Sequence, residues 1–355
     1  MTDPQSTNGP RLLWDIGTAY EFFITLQVLH TPERYGVRAS WAAGIRSRVP
    51  AVERKLLEEV IPFVMLPAVW IRKLPAPRDA VSVLWTLRQT PPTERTSAML
   101  CSCDCYEPLP NTFKQISERR TWEKAELELL LSTYGEAGFQ YTREQVAHYL
   151  DWWAHPDEFG EGFLSALQAY YQAFFEEEEK RLLPVLEAGL LNAQQLTAGL
   201  SLADLLTELS QGVHFDEAFT KAKELVLVPT FWLTPLTMSV PLGEEAMLMM
   251  FGVRPANMSA IPGELVPDSL LRTLKALADS TRLKILYYIA REELNPSELS
   301  RRLHLRAPTV THHLNELRLA GLVNLTVMGQ EKRYSARREA LQNTFSTIET
   351  FLDSE

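Results

Sequence analysis

The 355-residue sequence predicts a mainly α-helical protein with two unlike parts. A large N-terminal helical domain is expected to precede a small C-terminal domain of three helices and a two-stranded hairpin. Two observations support this prediction: apolar residues recur at three- and four-residue spacing through most of the first 250 residues, and charge and tryptophan are divided unevenly along the chain.

The charge distribution separates an acidic region from a basic one. Residues 1–267 hold 22 Lys and Arg against 34 Asp and Glu, whereas residues 268–338 hold 13 against 7. Residues 339–355 hold four acidic residues and no basic one, and all eight tryptophans lie before residue 233. The net charge of −10 therefore conceals a basic segment that suits a polyanionic partner such as nucleic acid.

The boundary between the two parts is expected at RPANMSAIPGELVPDS, where three prolines and a glycine interrupt regular structure. Upstream of it, the segments 18–30, 51–61, 125–135 and 162–189 have the periodicity of amphipathic helices. The predicted organisation is a helical regulatory domain over 1–253, a linker over 254–269, a DNA-binding domain over 270–338 and a C-terminal helix over 339–355.

Two strand-length apolar runs occur near the end of the N-terminal domain, at 224–229 and 245–252. A segment that contains Pro and Gly separates them. They are candidates for a small β-hairpin.

Two helix starts are readable in the basic segment. Asp279 can cap a helix over STRLKILYYIA. Asn295 followed by Pro296 and Glu298 supplies an N-cap, a first-turn proline and a capping box for a second helix.

A third helix is expected to open at Pro308 and to end at Gly321. Val310, Leu314 and Leu317 share its inward face. The opposite face carries short donors and acceptors that are typical of base reading in the major groove. His313 is expected to be half-buried and ranks below His312 as a base reader. The candidate reading residues are Thr309, Thr311, His312, Asn315 and Arg318.

The residues after this helix predict a two-stranded wing. Apolar and polar residues alternate in LVNLTVM and in EKRYSA, which lie on either side of a turn at Gly329. Positive charge on the wing and beside the third helix would contact phosphates. The candidates on the wing are Lys332, Arg333 and Tyr334, and those beside the helix are Arg301, Arg302 and Arg306.

In order and spacing, the stretches LADSTRLKILYYI and PSELSRRLHLRAPTVTHHLNELRLAGLV, followed by the wing, resemble the ArsR family of winged-helix transcriptional repressors. The resemblance covers about 270–338, a fifth of the chain. It implies that PTVTHHL begins the DNA-reading helix, that Lys332 and Arg333 lie on the wing, and that the protein dimerises and releases its operator on a signal. WDIGTAYEFFITLQVLHTPERYG and LVLVPTFWL are similar to the helical extension of longer ArsR-type regulators, which brings no assigned ligand.

Three positions depart from the family pattern. Ser280 stands where a proline is common, His304 where a glycine is common and Arg306 where a capping serine is common. If the turn at His304 needs a positive φ, the histidine is strained there, although less than most side chains would be. At position 306, arginine in place of serine removes a side-chain cap from the third helix and adds a group that is expected to contact a phosphate.

No metal site is favoured. The family's usual ligand positions hold no cysteine in the second helix and no histidine or cysteine in the last one. Cys101, Cys103 and Cys105 form a separate cluster in the acidic region; a helix would point Cys103 about 160° away from Cys101. The preferred interpretation is buried cysteine acting as a small hydrophobe, with a soft-metal or redox site as the alternative.

The last segment places Leu341, Phe345, Ile348 and Leu352 along one stripe of a short helix. An apolar stripe of this kind seeks a partner. The preferred partner is the same helix of a second subunit, because helix-turn-helix proteins commonly read two half-sites. The alternative is the chain's own large domain.

The sequence lacks enzyme signatures and a membrane span. The run EEEE at 176–179 is expected to be a solvated helix face, and the N-terminus lacks the features of a secretory signal, so we expect a non-enzymatic, cytoplasmic protein without a cofactor. The predicted function is operator-DNA binding controlled by an effector of unknown identity. The alternative is a winged-helix assembly module that binds protein, which the overall acidity would suit.

Overall fold

The computed structural model describes residues 9–102, 107–215, 222–243, 245–328 and 331–353. The chain forms two compact units. The first, the mixed unit, contains the described residues up to Asp15, Val185–Ser239 and the residues from 245 onward. The second, the helical unit, contains Ile16–Pro184 and Val240–Gly243.

The helical unit is built from helices, with short 3-10 turns at Pro32–Tyr35 and Ile61–Phe63. Its last helix leads through a π turn, Tyr171–Phe175, into a helix that continues into the mixed unit. The helices are α1 Thr18–His30, α2 Ala39–Arg46, α3 Ala51–Val60, α4 Ala68–Arg72, α5 Ala80–Gln89, α6 Pro92–Leu100, α7 Leu109–Arg119, α8 Lys124–Glu136, α9 Arg143–Ala154, α10 Pro156–Tyr170 and α11 Glu176–Leu196.

Aromatic side chains fill the core of the helical unit. Trp153 is fully buried and stacks on Phe113 with 4.6 Å between ring centroids. Phe22 meets Tyr170 and Phe175 at 5.1 Å each. Large rings at buried positions supply most of the apolar area that stabilises such a core.

The acidic run in α11 is only partly the solvated face that its composition predicts. Glu178 is 3% exposed and pairs with Arg181 three residues later. Glu179 accepts hydrogen bonds from the hydroxyl of Thr18 and from the amide of Ala80 at 3.0 Å. Carboxylates removed from water need such partners. Arg181 lies one helical turn from Glu178, whereas Thr18 and Ala80 are far from Glu179 in sequence.

A parallel sheet opens the mixed unit. Strands β1 Arg11–Trp14, β3 Glu224–Thr230 and β5 Ala246–Gly252 pair in the order β1-β3-β5, and β4 Met238–Pro241 lies at the edge beside β5. Residues 193–209 cover one face of this sheet, where Ala193 of α11 and Leu205, Leu206 and Leu209 of α12, Leu202–Leu209, pack on it.

The predicted β-hairpin is wrong in orientation. The two apolar runs are neighbours, but β3 and β5 pair in parallel, with Leu225 opposite Met247 and Val228 opposite Met250. Both strands are almost continuously buried, which is typical of parallel rather than of half-exposed antiparallel strands. The connection from Thr230 to Ala246 is long enough for the chain to return to the start of the sheet.

The C-terminal part of the mixed unit has the predicted three helices and wing. A further helix precedes them and another follows. The elements are α13 Asp268–Leu277, α14 Ser280–Ile289, α15 Pro296–Leu303, α16 Ala307–Leu319, β6 Val323–Met328, β7 Glu331–Ala336 and α17 Arg338–Asp353. Their shared core includes Ile285, Leu299, Val310, Leu314, Leu317 and Tyr334. The predicted turn at Gly329 lies outside the described residues.

A strand from outside the predicted DNA-binding domain joins its sheet. β2, Val213–His214, pairs in parallel with β6, and β6 pairs with β7, giving the order β2-β6-β7. The amide of Leu325 donates to the carbonyl of Gly212 at 2.8 Å. The winged domain is therefore continuous with the segment that precedes β3.

The two compact units do not divide at the predicted linker. Within 254–269, Ala260 is fully buried and its amide donates to the carboxylate of Asp268 at 2.6 Å. Arg254 is also buried, at 9% exposure. Pro and Gly exclude regular structure here, but the segment is packed rather than free. Among the described helices, none has the length and apolar character to cross a membrane.

Candidate nucleic-acid interface

Local sequence signals position the helix pair α15 and α16. The Asn295 side chain accepts from the amide of Glu298 at 2.9 Å, and the Glu298 carboxylate accepts from the amide of Asn295 at 2.8 Å. This capping box fixes the start of α15. His304 ends the helix at φ 55° and ψ 38°, the left-handed region in which glycine is usual. The expectation that the turn needs a positive φ is thus met.

The helix α16 separates an apolar face from a polar one. Val310, Leu314 and Leu317 are fully buried in the domain core. Its exposed face carries hydroxyl, imidazole and amide groups, which can donate to and accept from base edges. The exposed members of the predicted reading set are Thr309, Thr311, His312 and Asn315.

Two predicted contact residues are not available on this face. Tyr334 is 4% exposed, belongs to the domain core and exchanges backbone hydrogen bonds with Leu294 at 2.8 and 3.0 Å. Its alternation in β7 points the ring inward, so its assignment to DNA contact is wrong. Arg318 is half-buried, and burial lowers the pKa of its guanidinium; the last turn of α16 has already rotated it toward the domain.

The predicted phosphate-binding cations fall into two groups. Arg301, Arg306 and Lys332 are exposed, and in the described part of the chain none of the three has an acidic partner within ion-pair distance. Arg302 is paired with Glu292 at 2.5 Å. The first group is therefore free to contact a polyanion.

Arg333 is held inside a carboxylate cluster on the wing. Its guanidinium lies 2.9 Å from Glu331, 3.6 Å from Glu298 and 4.0 Å from Glu293, and it donates to the Glu293 carbonyl. These carboxylates compete with phosphate for it. Sequence reasoning placed Arg333 on the wing and missed the cluster. The adjacent acids of REEL, residues 291–294, were the available signal.

Residues 279–324 match the family described as bacterial regulatory protein, arsR family. The matched range begins at the cap of α14 and ends in β6, so it contains the helix pair whose geometry is given above. The chain contains an arsR-family domain.

Two curated relatives each match about a fifth of the chain. A probable mercury resistance operon repressor of Streptomyces lividans is 39% identical over 19% of this chain and 55% of its own length. The transcriptional repressor SdpR of Bacillus subtilis (strain 168) is 28% identical over 22% of this chain and 88% of its own. The chain thus spans about half the length of the first relative.

Solved structures are similar as well. An ArsR-like transcriptional regulator from Rhodococcus sp. RHA1 shares 35% identity over 23% of this chain and 77% of its own, with a TM-score of 0.22.

His313 lies behind the exposed face of the arsR-family domain. It is half-buried, as expected, and its Nδ1 is 4.0 Å from the Asp279 carboxylate. That carboxylate caps α14 by accepting from the amide of Arg282 at 2.9 Å, and this hydrogen bond lowers the pKa of Asp279. His313 is thus a packing residue on the domain's own side of α16.

The predicted dimerisation stripe on α17 is split between two environments. Leu341 packs against the domain core and Ile348 is half-buried. Phe345 and Leu352 are each 73% exposed. The neighbouring helix α13 also exposes Leu271 and Leu274. The domain thus has exposed apolar side chains on two elements that contact each other.

The cysteine cluster is described only at its first member. Cys101 is 5% exposed, and burial raises the pKa of its thiol to about 12. A thiol in this state is a poor metal ligand and nucleophile. Cys103 and Cys105 lie outside the described residues. Among the described residues, no three metal-ligating side chains are grouped closely enough to hold an ion.

Proposed function

We propose that the protein is a DNA-binding transcriptional regulator that acts as a repressor and reads its operator through α16. One observation carries the proposal: in an arsR-family domain, the outer face of α16 exposes Thr309, Thr311, His312 and Asn315, while its inner face is buried. Arg301, Arg306 and Lys332 flank that face with positive charge. The proposal assigns no catalytic step to the chain.

We also propose that the regulator binds as a homodimer. The apolar side chains Phe345 and Leu352 of α17, with Leu271 and Leu274 of α13, supply the contact. A two-fold pair would present two reading helices to half-sites about one helical turn apart. An effector that prefers one arrangement of the dimer would change the operator affinity by shifting the population of the two arrangements.

Selection of bound fragments from the genomic DNA of the source cell tests the proposal. We expect one enriched sequence with two-fold symmetry. His312→Ala and Asn315→Ala should reduce discrimination between this sequence and random DNA by about 1–3 kcal/mol each. The matched control is Asn343→Ala, which removes an exposed asparagine side chain from α17.

Two outcomes would refute this assignment. Equal losses on operator and random DNA would mean that α16 does not read bases. Absence of any salt-sensitive complex would favour the alternative, a winged-helix assembly module whose partner is protein; the excess of 12 negative charges over residues 1–267 is the observation that suits this alternative.

A further inference from the structure

A cavity lies inside the mixed unit, beside the winged domain. Its volume is about 300 Å³, and its lining includes Asn192, Leu196, Glu208, Phe251, Arg254 and Arg337. A cavity of this size is at the small end of ligand pockets and suits a metabolite rather than a peptide. It opens at the carboxyl end of β5, where parallel sheets in open α/β folds bind their ligands.

Two charged side chains in the lining of this cavity have no ion-pair partner among the described residues. Neither Arg337 nor Glu208 forms an ion pair with any residue that the structure describes. The guanidinium of Arg337 makes one long hydrogen bond, 3.4 Å to the carbonyl of Gln211. A half-buried guanidinium with donors to spare is a strong and directional carboxylate ligand.

The other arginine is already used by the fold. Arg254 donates from Nη2 to the carbonyl of Thr234 at 3.0 Å, and its guanidinium lies over the ring of Phe231 at 5.3 Å. It adds positive potential to the cavity without being its anchor. Among the apolar residues of the lining, Leu209 and Phe251 are almost fully buried and Leu196 is half-buried. Leu196 is therefore the apolar side chain that the carbon chain of an organic anion can contact.

We propose that this cavity binds a small organic carboxylate, with Arg337 as the anchor of the carboxylate group and Leu196 against its carbon chain. Glu208, at the exposed rim, accepts from a hydroxyl or ammonium group when the ligand carries one. The ligand class is therefore a small organic carboxylate, and a hydroxyl or ammonium group on it adds a contact with Glu208.

The position of Arg337 links the cavity to the wing. It is the residue after β7, and its amide donates to the carbonyl of Leu322 at 3.0 Å, just before β6. Gln211, which accepts from its guanidinium, lies two residues before β2, the strand that pairs with β6. A carboxylate bound to Arg337 therefore acts on residues next to all three strands of the sheet β2-β6-β7. The regulation of DNA binding by this ligand rests on the proposed function.

The thermal midpoint of the full chain tests the binding site. The probes are glutarate, L-glutamate and the uncharged glutaramide at millimolar concentration. A carboxylate that binds the folded state raises the midpoint. We expect a rise with glutarate or glutamate, no rise with glutaramide, and affinity at least about tenfold weaker in Arg337→Gln, because one charge-assisted contact is lost.

Arg338→Gln is the matched control. Arg338 is the next residue, is exposed, donates to the carbonyl of Ala290 at 2.8 Å and does not line the cavity. Its probe response should equal that of the wild type. Arg337→Lys, which keeps the charge and loses the planar fork, should bind with intermediate affinity. Glu208→Gln should remove any preference for glutamate over glutarate and so distinguish the two ligand sources.

The assignment is overturned if no carboxylate shifts the wild-type midpoint, or if the shift persists in Arg337→Gln. Titration of a labelled random duplex, with and without the bound carboxylate, tests the link to the wing. Unchanged DNA affinity refutes the link alone. Failure of every preparation to bind DNA refutes the proposed function and leaves the carboxylate result standing.

Discussion

His304 has a left-handed backbone conformation, which lowers the stability of the fold when the residue is not glycine. It adopts φ 55° at the end of α15, where its Cβ crowds the backbone. His304→Gly should raise the free energy of unfolding by about 0.5 kcal/mol, because relief of this crowding exceeds the entropy that glycine gains in the unfolded chain. Urea denaturation measures the change.

The control for that substitution is His312→Gly, in the interior of α16. There glycine should lower the stability by about 0.5–1 kcal/mol. Similar losses at both histidines would contradict the interpretation that the left-handed backbone at His304 is strained.

Tyr334 and Lys332 are two residues apart in β7 and should respond in opposite ways. Tyr334→Ala empties a buried site and should lower the free energy of unfolding by about 3–5 kcal/mol. Lys332→Ala should change stability by less than about 0.5 kcal/mol but should reduce the slope of log affinity for DNA against log salt by about 1. If Tyr334→Ala keeps the stability of the wild type and binds DNA more weakly, Tyr334 contacts DNA and our interpretation of its burial is wrong.

The buried thiol of Cys101 predicts a pH dependence of stability. Burial raises its pKa to about 12, whereas an unfolded thiol ionises near about 8.5. The unfolded state therefore releases its proton first, so the stability is fully present below about pH 8.5 and declines as the pH rises toward 12.

Comparison with a variant isolates this contribution. Tyr134 and Tyr149 are also buried with raised pKa values, so the wild type alone cannot assign the slope. Cys101→Ala keeps both tyrosines and should lose less stability between pH 8 and 10.5 in urea titrations. Parallel pH curves for the two proteins would show that the thiol is ionised or exposed in the folded state.

At the scale of elements, the wing combines the proposed DNA contact with an internal restraint. The Glu293 carboxylate is one of the three near the Arg333 guanidinium, at 4.0 Å, and it also accepts from the hydroxyl of Thr326. Glu293→Gln keeps an acceptor for Thr326 and removes a negative charge from the wing. We expect tighter DNA binding at low salt and a steeper salt dependence, by up to about one counterion.

Glu339→Gln is the matched control, since it removes an exposed carboxylate from the first turn of α17. Electrophoretic titrations at several salt concentrations measure both variants. If the two variants bind DNA equally, the tighter binding comes from the lower net negative charge rather than from a weaker hold of the carboxylate cluster on Arg333.

Elements were predictable where their signals are local. The capping box of Asn295 and Glu298, the spacing of Val310, Leu314 and Leu317, and the alternation of the wing each lie within a few residues of one another. The partners of Arg333 and the parallel pairing of β3 with β5 depend on residues brought together from a distance. Periodicity identifies a strand without saying which neighbour it takes or in which direction.

At the scale of the whole molecule, β2 ties the winged domain to upstream residues. A fragment of residues 254–355 lacks β2, so β6 becomes an unpaired edge. We expect the fragment to be less stable than the same domain in the full chain. Amide exchange at Leu325, whose acceptor is the carbonyl of Gly212, should lose its protection in the fragment.

The amide of Tyr334 provides an internal control, because its acceptor, Leu294, is retained in the fragment. Equal protection factors at Leu325 in the fragment and in the full chain would show that β2 does not pair with β6 in solution.

Sequence composition shows a change of charge near residue 268 but could not reveal that the compact units divide elsewhere. Pro and Gly report where helices and strands stop, whereas the extent of a folding unit depends on which buried surfaces meet. The two-residue strand β2 is too short to give a periodic signal.

Grafting this winged domain onto another protein meets a practical constraint from β2. A fragment cut at the proline-rich junction would expose the edge of β6, and the backbone groups of that edge would be available for pairing with a strand of another protein. The compact unit that contains β2 also contains the parallel sheet, so a working chimera must take that sheet along with the winged domain.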